Sequence, residues 1–89
     1  MREIAYTVHT FKEDETYVAY VPELDVSSCG ATREEAMRNI HDAVEGFLES
    51  SAAHGSLEWV LEEAGYRRHG AHWESPEYVG VDRQTARVA

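Results

Sequence analysis

A single cysteine, Cys29, leaves no internal disulfide to form, so nothing marks this chain as a secreted disulfide scaffold. The opening stretch MREIAYTVHTF has neither a long apolar run nor a small-residue cleavage site, so a signal peptide is not expected. No stretch approaches the roughly 20 apolar residues that a membrane helix needs, and the cytoplasm is the expected location. Positive charge is also scarce. Eight basic residues face seventeen acidic ones, for a net charge of −9. Phosphate backbones demand clusters of lysine and arginine, and here only Arg67 and Arg68 are adjacent. Direct DNA or RNA binding is therefore not expected. An acidic chain suits a basic protein partner, whose encounter it accelerates electrostatically.

What is present is the composition of one folded domain. Hydrophobic residues make up 43% and charged residues 28% of 89 positions, enough for one core and too little for two. No linker or repeat divides residues 1–89. Ile4, Tyr6 and Val8 alternate with smaller or more polar neighbours, the period of a half-buried strand over 3–11. Lys12, Glu13, Asp14 and Glu15 form a turn, and 16–21 is β-branched, aromatic or small, a second strand paired with the first as a hairpin. Pro22 lacks the N–H of a central ladder and ends that strand. A short third strand fits 26–29, closed by Gly30.

The helices announce themselves by their caps. Thr32-Arg33-Glu34-Glu35 is a capping box, with the Thr32 hydroxyl accepting from the Glu35 N–H and the Glu35 carboxylate reaching back to Thr32. Ala36, Met37, Ile40, Ala43, Val44, Phe47 and Leu48 then form one apolar stripe, predicting a helix to His54 with Gly55 beyond it. Ser56 caps a second helix in which Leu57, Val60, Leu61 and Ala64 keep helical spacing and Gly65 ends it. Trp59 lies off that stripe, a position for either a wrapped-over tail or a contact with another chain. A last strand is expected at 78–81, after Pro76, with a continuation at 85–88. The order β-β-β-α-α-β defines an α+β domain: an antiparallel sheet with one main helix on one face. The other face would leave tyrosines and strand edges free for a homodimer or higher oligomer.

Chemistry finds little footing. His69 and His72 are three apart with Glu74 following, but zinc needs three or four converging ligands, so no metal is expected. No nucleophile elbow surrounds Cys29, Ser27 or Ser28. The stretch SSCGATREE carries no phosphate-loop pattern, and Glu34 and Glu35 would repel a phosphate. The paired acids serve as caps and solvated faces. No cofactor and no catalytic residue is expected.

The run Tyr17-Val18-Ala19-Tyr20-Val21-Pro22-Glu23-Leu24 precedes a short strand, Gly30-Ala31-Thr32, and a capped helix carrying Glu35-Ala36, Asn39-Ile40 and Ala43-Val44. Across residues 3 to 50 this order resembles the HicB-type antitoxins of toxin–antitoxin pairs. The stretch from Leu57 to Gly65, with Trp73 and Pro76, resembles a short-form branch of that family. The resemblance implies a partial ribonuclease-H-like fold without nuclease activity. It also implies a partner, a small basic HicA-type toxin that cleaves messenger RNA and is neutralised by direct binding. Two departures stand out. Asp25-Val26-Ser27-Ser28-Cys29 replaces the Pro-Gly-Cys that many members carry, and no DNA-binding module fits after Val81.

The residues placed at such a contact are Glu13, Asp14, Glu15, Glu23 and Asp25, which flank the second strand, together with Trp59. A rival is an orphan protein- or ligand-binding module of the same fold. A third reading, a ribonuclease-H-like enzyme, would clamp metals between carboxylates on its central strands. The strands expected at 3–11 and 16–21 offer only Glu3, so that reading is set aside.

Overall fold

Asp14 and Asp25 both adopt left-handed backbone, each with φ of 54°, and each sits in a turn that joins two strands. Aspartate tolerates this conformation because its short polar side chain bonds locally. Between and around these turns lie β1 (His9–Glu13), β2 (Thr16–Val21) and β3 (Val26–Gly30), a three-stranded antiparallel sheet in the order β1-β2-β3. The chain then forms α1 (Arg33–Ala53), α2 (Leu57–Glu63) and a separate hairpin of β4 (Arg67–His69) with β5 (His72–Glu74). This architecture is seen in a computed structural model that describes residues 3–89.

The register fixes which side chains share a face. Thr10, Ala19 and Ser28 form one cross-strand row, and Val21 sits opposite Val26. These residues point toward α1, where the Thr10 hydroxyl donates to the Met37 sulfur at 3.6 Å. The alternate rows, His9–Tyr20–Ser27 and Phe11–Val18–Cys29, point away from α1 because successive strand residues face opposite sides. Among the described residues no helix covers them. The core is Ala19, Val21 and Leu24 from the sheet side, Ala36, Ile40 and Val44 from α1, and Leu61, Tyr66 and Trp73 beyond it.

At its N-terminus, α1 follows the expected cap with one change. The Thr32 hydroxyl accepts from the Glu35 N–H at 3.1 Å, but the Glu35 carboxylate accepts from the N–H of Ala31, not Thr32. The cause is Gly30. A Cβ there would lie 2.7 Å from the Ala36 nitrogen and 2.9 Å from the Glu35 Cβ. Strand and helix approach so closely that the Glu35 stem lies over Gly30 and its carboxylate reaches one residue further back.

Both helices end in the same way. Ser56 N–H bonds to the Ser51 carbonyl and Gly55 N–H to that of Ala52; Tyr66 N–H bonds to Leu61 and Gly65 N–H to Glu62. These pairs, with Gly55 and Gly65 at positive φ, are Schellman closures. Ser56 precedes α2 but its side chain makes no cap bond; its hydroxyl turns back to the Ser51 carbonyl at 3.3 Å. It closes α1 and opens α2 at once, so the geometry of the first role displaces the second.

Two strand boundaries differ from expectation. Residues 3–8 are extended but belong to no strand, and β1 instead runs on through Lys12 and Glu13 to a tight turn. In the β1–β2 register the strand partners for residues 3–7 would have to lie beyond Val21, where Pro22 ends the ladder. There the Glu23 carboxylate takes over, accepting the Thr7 N–H with both oxygens at 3.1 Å. The second difference is at the other end of the chain. Residues 78–81 and 85–88 form no strand, and the last β structure is the hairpin β4–β5, turned by Gly70 at φ of 63°. Among the described residues no helix is long and apolar enough to cross a membrane.

Candidate functional site

The turn after β2 and the exposed side of α2 build one groove. Glu23 and Asp25 stand on the turn around buried Leu24, and Trp59 and Glu63 stand on α2. With Phe47 of α1 and Val60 they line an open depression of about 380 Å³. Past Glu23 and Glu63 it continues into a second depression bordered by Pro22, Pro76, Glu77 and Tyr78. The floor is apolar and the rim carries four carboxylates. Trp59 is 64% exposed, an unusual state for the largest apolar side chain.

The rim is held in place. Glu23 is fixed by the Thr7 N–H, and Asp25 accepts from the Tyr20 hydroxyl at 2.9 Å. That bond, then burial and the charge of Asp25, raise the Tyr20 pKa above its ordinary value. Among the described residues none of Glu23, Asp25, Glu63 and Glu77 forms an ion pair; Arg68 pairs instead with Glu58 of α2 at 2.5 Å. Fixed carboxylates beside an exposed indole suit a cationic side chain, which gains charge-assisted hydrogen bonds and a cation–π contact together.

The structure therefore divides the six residues singled out from the sequence. Glu23, Asp25 and Trp59 meet in this groove. Glu13, Asp14 and Glu15 form an exposed patch at the opposite end of the six-residue β2, about 20 Å away by strand rise. Glu63 was missed because adjacent acids on a helix look like a solvated face until the fold sets it beside Glu23, and Glu77 because it lies in an irregular stretch with no local pattern.

Titratable groups gather elsewhere too. The Tyr6 hydroxyl lies 3.1 Å from His41 Nδ1, and His41 Nε2 lies 3.3 Å from the Glu45 carboxylate. Such a phenol–imidazole–carboxylate line could suggest acid–base work. Burial, then the charge of Glu45, raise the Tyr6 pKa, so the phenol is kept from the anion a nucleophile needs. Its evident role is to pin residues 3–8 against α1. In the β4–β5 hairpin His69 faces His72 across the strands, and His69 Nε2 meets Glu74 at 3.5 Å. Among the described residues no group of three His, Cys, Asp or Glu is gathered as a metal site. Cys29 is exposed on the open sheet face. No family model matches this chain, nor does any curated protein or solved structure.

Proposed function

We propose that this chain neutralises a small basic ribonuclease of the HicA type by binding it directly in the cytoplasm, with no catalysis of its own. The observation that carries the reading is the groove in which exposed Trp59 stands among the carboxylates of Glu23, Asp25 and Glu63. An aromatic anchor in an apolar depression with a charged rim is the make-up of a binding hot spot. Its sign matches a partner whose own surface is built to grip RNA. The resemblance of residues 3 to 50 to HicB-type antitoxins supplies the class of that partner. The acidic patch at Glu13, Asp14 and Glu15 strengthens the long-range attraction that brings the two together.

The test is co-expression with a small basic HicA-type ribonuclease, scoring growth rescue and co-purification. Both are expected with the native chain, and both are lost with Trp59→Ala combined with Glu63→Lys. A chain that neither rescues growth nor co-purifies ends the proposal. The isolated chain, incubated with RNA and magnesium, leaves the RNA intact.

A second reading, a module for a small apolar ligand, draws on a different feature. Ile4, Leu48, Leu57, Leu61 and Trp73 line a partly open cavity of about 150 Å³ with almost no polar wall. Apolar cavities of that order stay dry and accept small hydrocarbons. Quenching of Trp73 by an aromatic hydrocarbon, unchanged by Trp59→Ala, would favour it.

A further inference from the structure

Residues 79–89 are exposed throughout and form no helix or strand. Val79 and Val88 are each 91% exposed and Val81 is 72% exposed. Yet valine and threonine are strand formers, and Val79 and Val81 fall on one side of an extended chain. The radius of gyration is 15.2 Å, against about 12 Å for a compact domain of this length. The segment buries none of these valines.

The same molecule presents a surface that lacks what this segment has. The face of the sheet away from α1 carries Phe11, 47% exposed, beside Val18 and exposed Cys29 in one row. Among the described residues the outer edge of β1 has no strand partner. Charge distinguishes what this segment fits. Arg83 and Arg87 against Asp82 make residues 79–89 net positive by one, so the other residues carry a net charge of −10 within the chain total of −9. A basic partner repels the two arginines, whereas a second copy of this acidic body attracts them. Tyr78 packs edge-on against His9, at the start of β1, with ring centroids 5.8 Å apart. The segment thus leaves its own body at the border of the open face and runs outward.

We infer that residues 79–88 of one copy lie along the outer edge of β1 of a second copy, setting Val79 and Val81 on the open face beside Phe11. The second copy returns the same contact, so the exchange closes about a two-fold axis. Strand addition supplies the missing edge partner and flanks the exposed Phe11 ring in one step. The inference stands apart from the toxin-binding groove, since Trp59 takes no part in it.

Light scattering of the full chain across micromolar concentrations is expected to show a dimer. Val79→Asp with Val81→Asp is expected to weaken self-association by at least about tenfold per valine, leaving far-ultraviolet dichroism unchanged. With Cys29 replaced by serine, Val81→Cys is expected to form a disulfide to Phe11→Cys of another chain under mild oxidation, since only β1 lies within reach of the added strand. A monomeric native chain overturns the inference, as does a dimer indifferent to the double substitution. So does a disulfide formed within one chain. Loss of ribonuclease binding by the double variant of a monomeric native chain would transfer the segment to that partner and equally overturn it.

Discussion

The Tyr66 hydroxyl donates to the carbonyl oxygen of Ala5 at 2.5 Å, joining two points 61 residues apart. Tyr66 is buried, follows directly on the closure of α2, and belongs to the core. It thereby holds residues 3–8, which have no strand of their own, against the rest of the fold. Burial, then the charges of Glu23 and Tyr6, push its pKa up to about 12 from an ordinary value of 10.

The pH dependence follows from that direction. A tyrosine raised in the folded state contributes its full stability below pH 10 and loses it as pH climbs toward about 12. Urea midpoints are expected to be level between neutral pH and pH 9 and to fall above 10. Tyr66→Phe is expected to cost about 1 kcal/mol at neutral pH through the lost hydrogen bond and to flatten the alkaline fall. Tyr6 and Tyr20 are shifted in the same direction, so the fall shrinks without vanishing.

Gly30→Ala forces a Cβ to within 2.7 Å of the Ala36 nitrogen, a backbone atom that cannot swing aside. Strand β3 and the first turn of α1 must separate, at a cost of about 1–3 kcal/mol. A lower urea midpoint with an unchanged slope is the expected result.

Thr32→Ala removes the oxygen that accepts the Glu35 N–H. A loss of about 1 kcal/mol is expected, measured by thermal or urea unfolding. Arg33→Ala, at an exposed site in the same turn, is expected to stay within about 0.5 kcal/mol.

Trp59→Ala separates folding from recognition. At 64% exposure the indole adds little to the core, so stability should move by no more than about 0.5 kcal/mol. Affinity for the basic ribonuclease should fall by about 2 kcal/mol or more, mainly as faster dissociation. Charge reversal at Glu13, Asp14 and Glu15 is expected to act on association instead, and more so at low salt. Surface plasmon resonance distinguishes the two effects.

Elements with strong local signals were legible from the chain alone. The bounds of β2 and α1 follow from β-branched density between two breakers and from a cap, a stripe and a left-handed glycine. Strands depend on partners, which no local pattern reveals. Ile4, Tyr6 and Val8 alternate well but face a chain turned away by Pro22, and Tyr78 to Val81 have no neighbour to pair with. The hairpin at Arg67–Glu74 was hidden because its strands are polar and its one buried side chain, Trp73, gives no period. In the groove, Trp59 could be found from its place on the helix wheel. Glu63 could not, since its meeting with Glu23 is a product of tertiary packing.

Glu23 carries two duties that cannot be varied separately. Its carboxylate accepts the Thr7 N–H at the point where the β2 ladder stops at Pro22, and it also borders the depression beside Trp59. Replacing it to retune partner choice would loosen residues 3–8 at the same stroke. Changes in preference are thereby channelled to Asp25, Trp59 and Glu63, so this position acts as a fixed post around which the adjustable side chains are arranged.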